Sequence, residues 1–131
     1  MNQIYAPAGI YFKCVRVSNN THCTPTYDLI KLNTFTKGQE GDKDIVVCIV
    51  GKHEGDVAGR ANLWGYFENH SRVFVDLNAV KSTQGKANMI AHEIGHLFGL
   101  EHTCDGYLMG EYTTESPVQL CDKSKKHLIK L

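Results

Sequence analysis

No charge of either sign dominates this chain: fourteen lysines and arginines are matched by fourteen aspartates and glutamates across 131 residues. Such a balance sets up no net field for a nucleic-acid backbone or an anionic membrane surface, so neither is expected as a partner. Apolar residues make up 42% of the chain, yet no run approaches the ~20 residues that cross a bilayer. No secretory leader opens the sequence, since Met1 is followed by polar Asn2 and Gln3; a secreted form would be represented here without it. Cys-x-x-Cys does not occur, which excludes zinc-ribbon spacing, and no EF-hand pattern is present. The length suits one domain, residues 1–131, with room for a real core.

Against these absences stands the stretch Ala91-His92-Glu93-Ile94-Gly95-His96-Leu97-Phe98-Gly99-Leu100-Glu101-His102. His92 and His96 are four apart, so a helix puts both imidazoles on one face, one turn apart, within reach of a single metal ion. Glu93 lies beside the first histidine, where its carboxylate reaches water rather than the metal. Gly99 is free to take positive φ and reverse the chain, which returns His102 as a third nitrogen ligand. Three ligands leave one tetrahedral position open, the layout of catalytic rather than structural zinc. From average residue usage, all five residues fall at these offsets by accident in roughly one such chain in a hundred thousand. A purely structural helix would have to bury three imidazoles and a carboxylate among Ile90, Ala91, Ile94 and Leu97, at a cost in free energy with nothing to offset it.

The pattern H-E-x-x-H-x-x-G-x-x-H, followed by a methionine in Asp105-Gly106-Tyr107-Leu108-Met109, resembles the metzincin clan of zinc peptidases. The Leu-Phe-Gly-Leu-Glu-His run is similar to both its matrixin and reprolysin branches. The resemblance implies a mixed α/β catalytic domain: a mostly parallel twisted sheet with an antiparallel edge strand, a zinc-binding helix and a C-terminal helix. It also implies that Met109 lies in a tight turn below the zinc as an apolar floor. Asn2 to Phe12 is similar to the passage from the clan's first long helix into its second strand. Most of that helix and the first strand then precede Met1, or are dispensed with in a minimal version. The resemblance makes Ser71 to Leu77 the antiparallel edge strand above the zinc, where Arg72, Val73, Phe74, Val75 and Asp76 receive an extended peptide. Gly110 to Glu115 becomes one wall of the pocket after the cut. Tyr112 is a candidate transition-state stabiliser, although it follows the methionine by three rather than two.

The remaining chain reads more simply. Met1 to Pro7 is expected as the last turn of a helix, and Ile10 to Val17 as a strand rich in β-branched and aromatic residues. Ser18 to Asp44 reads as loops around one short helix; its Glu40, Asp42 and Asp44 allow Ca2+ but more simply make a solvated turn. Asp44 to Val50 is a continuous apolar run suited to a central strand covered on both faces. His53 to Gly65 reads as a loop, its Gly59 to Gly65 part leading into the cleft rim, with Trp64 partly in the core. A second zinc on His53, Asp56 and His70 is conceivable there, but loop histidines in solvent account for these residues more simply. Ser82 or Thr83 caps a helix from about Gln84 to Phe98. Ser116-Pro117-Val118-Gln119 reads as the start of the C-terminal helix, with Lys123, Lys125, Lys126 and Lys130 on its wet face.

Cys14, Cys23, Cys48, Cys104 and Cys121 are an odd number. One reading joins Cys14 to Cys23 and Cys104 to Cys121, leaving Cys48 as a buried small hydrophobe. The other keeps five reduced thiols in a cytosolic protein. The first favours a secreted or extracytoplasmic location, and the sequons Asn19-Asn20-Thr21 and Asn69-His70-Ser71 fit it. The functional reading is a zinc-dependent endopeptidase acting on protein or peptide, with Zn2+ on His92, His96 and His102 and Glu93 as general base and acid. A catalytically silent zinc-binding module and a non-proteolytic zinc amidohydrolase are the two competing readings.

Overall fold

The computed structural model describes residues 2–14, 45–50, 59–68, 71–112 and 114–131. Val46–Val50 (β1), Gly59–Ala61 (β2) and Arg72–Asp76 (β3) form one sheet in the order β1-β3-β2. β1 runs parallel to β3, with Val46 opposite Arg72 and Val50 opposite Asp76, whereas β2 runs antiparallel to it, with Arg60 opposite Phe74. The helices are α1 (Asn2–Tyr5), α2 (Thr83–Leu97) and α3 (Asp122–Ile129), with short 3-10 turns at Ala6–Ala8, Gly65–Phe67 and Leu77–Ala79. This is the mixed sheet with an antiparallel edge strand, a histidine-bearing helix and a C-terminal helix that the motif implies.

Two strands exchange the roles read from sequence. β3 is flanked on both sides, and Arg72, Val73, Phe74 and Val75 are all buried, so Arg72 to Asp76 is not the edge strand. Its backbone groups are engaged by β1 and β2 and offer no row of donors and acceptors to a peptide. Among the described residues the antiparallel edge belongs to β2, within a stretch that reads as loop because three residues are too few for a two-residue period to emerge. β1 in turn pairs only with β3 among the described strands, and Ile49 is 53% exposed, so the apolar run is not covered on both faces.

α2 begins where the sequence indicates. Ser82 is its N-cap, and its Oγ accepts from the Gly85 N–H at 2.8 Å. The Glu115 carboxylate reaches back across the chain and accepts from the N–H groups of Lys81 and Ser82, both at 2.8 Å. Asn88, buried in the same helix, donates to the carbonyls of Thr114 and Ser116 at 3.0 and 2.8 Å. The segment after the methionine is thus pinned to the first half of α2 rather than continuing as a helix. For the same reason α3 starts at Asp122 and not at Ser116: Ser116 and Gln119 spend their carbonyls on Asn88 and on the Leu108 N–H (2.9 Å), and a Cys104–Cys121 disulfide holds the N-cap residue.

The main core gathers Ile4, Tyr5, Val73, Ala91, Ile94, Leu97, Phe98, Leu100, Leu108, Met109, Leu120 and Leu128. It lies beneath α2 and between the sheet and α3. Tyr5 is fully buried there and donates its hydroxyl to the Ala91 carbonyl. Ile10 to Cys14, expected as the start of a strand, runs without regular structure; Asn2 clamps it by exchanging two hydrogen bonds with the Phe12 backbone, at 3.0 and 2.6 Å.

The cysteines divide differently from expectation. Cys104–Cys121 forms as read, but Cys14 is free and exposed. Cys48 is disulfide-bonded rather than a spare buried thiol, with the other half of its bond outside the described residues. Residues 15–17 of the expected second strand, the loop from Ser18 to Asp44 with Glu40, Asp42 and Asp44, and His53, Asp56 and His70 also lie outside them.

Two backbone donors, at Lys81 and Ser82, hold the Glu115 carboxyl below its ordinary range. A carboxylate lowered by folding contributes stability above its unfolded pKa and loses it as pH falls through the folded value. Glu115→Gln is therefore expected to melt below the wild type at neutral pH, with the two melting curves converging as pH falls below the ordinary carboxylate range. Thermal unfolding followed by circular dichroism across that range checks this; a gap that persists in acid refutes it.

Candidate metal centre

Along α2, Met89, His92, Glu93 and His96 recur at three- and four-residue spacing, and all four line one cleft of about 770 Å³. The helix therefore turns one stripe to the cleft, while Ala91, Ile94 and Leu97 turn to the core. The opposite bank is β2, through Gly59, Arg60 and Ala61, with Leu63 beyond it. Glu101, His102 and Glu111 complete the lining.

The third histidine arrives by a reversal of the chain. Phe98 ends α2, Gly99 takes φ +90°, and the N–H groups of Gly99 and Leu100 close on the carbonyls of His96 and Gly95, both at 3.0 Å. A side chain at Gly99 would be strained by that φ and would collide with the indole of Trp64. Beyond the turn, His102 meets the other two rings, and the three imidazole centroids stand 4.9, 5.1 and 5.0 Å apart in a near-equilateral triangle.

Each helical imidazole is oriented by a backbone carbonyl. His92 Nδ1 lies 2.7 Å from the Leu108 oxygen and His96 Nδ1 lies 2.6 Å from the Leu100 oxygen. A carbonyl can only accept, so the proton sits on Nδ1 and Nε2 keeps its lone pair for a metal. The Nε2 atoms of His92 and His102 stand 3.2 Å apart. Two nitrogens sharing one tetrahedral zinc at about 2.05 Å would be separated by roughly 3.3 Å. Burial pulls His92 below the ordinary imidazole range; the Leu108 bond opposes this, and His102 adds to it. Burial, assisted by the charge of His92 and opposed by the Leu100 bond, lowers His96 to about 4. Both rings are thus neutral at physiological pH, as ligands must be. The ligand atoms of all three histidines lie within 4.8 Å of one another, so the donor set, its spacing and its protonation fit a single Zn2+.

Beneath the histidines, Met109 is buried and its Sδ packs on α2 at Gly95, where an added Cβ would stand 2.6 Å from the sulfur. Gly95 lies between His92 and His96, so glycine there lets the methionine turn press directly under the ligand-bearing segment. A bond from Thr103 N–H to the Met109 carbonyl at 2.9 Å closes the loop that carries both His102 and the turn.

Glu93 shares the cleft but not the ligand cluster. Its side chain is 8% exposed and lies against Gly59, where a Cβ would approach Oε1 to 2.7 Å. Burial pushes its carboxyl up to about 8, with the Arg60 guanidinium pulling the other way. Tyr112 is 81% exposed and not among the residues that line the cleft. Sequence reading missed Met89 and Glu101 as cleft residues, whereas Arg60 and Leu63 fall in the stretch expected at the cleft rim and Glu111 in the expected pocket wall. Met89 had a signal, since it precedes His92 by three; Glu101 depends on the course of the chain after the Gly99 reversal.

A ligand that binds only the folded chain stabilises it by mass action. Zinc at a hundredfold excess over its dissociation constant is expected to add about 2.7 kcal/mol to the unfolding free energy. That increment should be reversed by chelator and absent from His96→Ala. Denaturant unfolding with and without zinc measures it; an equal increment in the variant would count against His96 as a ligand.

No helix among the described residues is long and apolar enough to cross a membrane. No curated protein matches the chain significantly. Over residues 2–129, however, the sequence matches the family described as metallo-peptidase family M12, Reprolysin_5. A match of that extent, on a sequence whose three imidazoles already converge for a dication, means that the chain belongs to metallo-peptidase family M12 and is a zinc metalloendopeptidase.

Proposed function

We propose that residues 1–131 act as one catalytic domain that cuts peptide bonds within protein or peptide substrates, with Glu93 as general base and then general acid. The observation that carries this reading is the Glu93 carboxylate, buried in the cleft wall one residue from a ligand histidine yet outside the ligand cluster. Zinc, when bound by His92, His96 and His102, supplies a Lewis acid that acidifies water and polarises a peptide carbonyl. A Glu93 oxygen then takes the proton from water as it attacks the carbonyl carbon, and the same carboxyl delivers that proton to the departing amine. Burial raises its carboxyl to about 8, and a dication held by the neighbouring histidines would favour the ionised form that the first step needs.

Substrate alignment is assigned to β2. Its free edge among the described residues faces the cleft, and an extended peptide can add there as a further strand through main-chain hydrogen bonds. Gly59 supports this placement, because its missing side chain lets the strand pass directly over Glu93. Main-chain pairing holds many sequences alike, leaving discrimination to the cleft side chains Arg60, Leu63, Glu101 and Glu111. Tyr112 takes no part in this mechanism. The Cys104–Cys121 bond and the bonded state of Cys48 favour work in an oxidising, extracytoplasmic compartment.

Glu93→Ala is expected to keep stoichiometric zinc while losing cleavage of denatured casein by about a hundredfold or more. Metal analysis and a chelator-reversible peptidase assay on the same samples test the assignment. Cleavage by the variant close to wild type would remove Glu93 from the mechanism. A wild-type protein that holds zinc but cleaves neither casein nor small peptides would be a silent module, and one that attacks only non-peptide amides would be the other hydrolase.

A further inference from the structure

The sole tryptophan of the chain is held in a conformation that its own chemistry disfavours. Trp64 has φ +63° and ψ +12°, the left-handed region, where a bulky side chain is a genuine outlier. Strain of this kind persists only where the surroundings over-determine it. Burial is not the cause, because Trp64 remains 38% exposed.

The backbone partner of Trp64 and the closest contact of its ring both belong to the end of α2. The Trp64 backbone N–H donates to the His96 carbonyl at 2.9 Å, the same oxygen that receives the Gly99 N–H at 3.0 Å. The indole lies flush on Gly99, so close that no side chain could be interposed. The indole also meets His127 of α3, with ring centroids 5.1 Å apart; His127 Nε2 in turn donates to the Phe98 carbonyl at 2.9 Å. Gly99 is the midpoint of the reversal, three residues after His96 and three before His102. A turn covered by a planar ring cannot swing outward without displacing it.

From this arrangement we infer that Trp64 is a positioning residue for the zinc centre: its indole braces the Gly99 turn and thereby fixes the return of His102. His102 needs such support. Its two partners ride on a helix and are oriented by carbonyls of Leu108 and Leu100, whereas His102 is exposed and follows a turn. The αL backbone puts the Trp64 N–H on the helix end and the ring on the turn at once. His127 backs the ring from α3, so the brace spans three segments distant in sequence. The inference rests on the three-histidine centre binding zinc, and the experiment separates the two.

Trp64→Gly isolates the ring, because glycine adopts φ +63° without strain and keeps the N–H that bonds His96. Zinc affinity is measured by competition with a chromogenic chelator for wild type, Trp64→Gly, Trp64→Phe and Phe67→Ala, with metal-free melting followed in each. Phe67 is the control, an exposed aromatic that touches Trp64 (6.0 Å between centroids) and does not line the cleft. Trp64→Gly is expected to weaken zinc binding about tenfold to a hundredfold, as loss of a group that orients a ligand does. Trp64→Phe should recover most of that loss, and Phe67→Ala should bind zinc like the wild type. Equal affinity in Trp64→Gly and wild type, a loss that phenylalanine does not repair, or an equal loss in Phe67→Ala overturns the brace. If Trp64→Gly does not fold without metal, Trp64→Leu, with apolar bulk but no planar face, is held to the same criteria. A wild-type chain that takes up no zinc overturns the centre and the brace together.

Discussion

The carbonyl oxygens of Leu108 and Leu100, each receiving an imidazole Nδ1 proton, are the contacts on which the remaining structure depends. They decide which ring nitrogen keeps a lone pair, and so decide that His92 and His96 present ligands instead of donors. Neither carbonyl is supplied by a regular element. Leu100 sits in the reversal after Gly99, and Leu108 in the turn before Met109. The irregular backbone after α2 is therefore part of the metal centre, and the disulfide at Cys104, the Thr103–Met109 bond and the Leu108–Gln119 bond all act to hold it in place.

The same economy explains why small residues crowd the site. Gly59 admits the Glu93 carboxylate beneath the edge strand, Gly95 admits the Met109 sulfur beneath the helix, and Gly99 admits the indole of Trp64. Each close approach joins a different partner to α2: the edge strand β2, the methionine turn, and the segment leading from β2. A helix so tightly embraced has little freedom to move, which suits a centre whose ligands must be arranged before the metal arrives. Burial has the complementary electrostatic effect of lowering the imidazoles, so the neutral rings that ligation needs follow from low local polarity; the same burial raises the Glu93 carboxyl, which a bound dication would offset.

The wall after the methionine illustrates a second coupling. Glu115 and Asn88 tie it to the first turns of α2, the end opposite the reversal. α2 is thereby gripped at its N-terminus by the wall and at its C-terminus by Trp64 and His127, with the ligand stripe between. Glu111, on the same segment as Glu115, reaches the cleft lining, so the anchor and a cleft-lining side chain share one short run of chain.

What the sequence determined by itself was everything that depends on helical periodicity and on fixed offsets. The ligand triad, the neighbouring acid, the Ser82 cap and the reversal at Gly99 all follow from spacing within thirty residues, because a helix converts spacing directly into facing; the methionine floor came from the family resemblance. Tertiary structure alone decided which strand is central and which is the edge. A three-residue strand such as Gly59–Ala61 carries no period, and the apolar content of Arg72–Asp76 suits either position until its neighbours are known. It alone decided that Ser116 to Leu120 stays irregular, since a good helix start yields when its carbonyls are claimed from outside. That Cys14 is free and Cys48 bonded was likewise hidden, because pairing depends on which backbones lie within a few ångströms of each other. Trp64 read only as a partly buried aromatic; its left-handed backbone and its place against Gly99 exist only once β2, α2 and α3 have met.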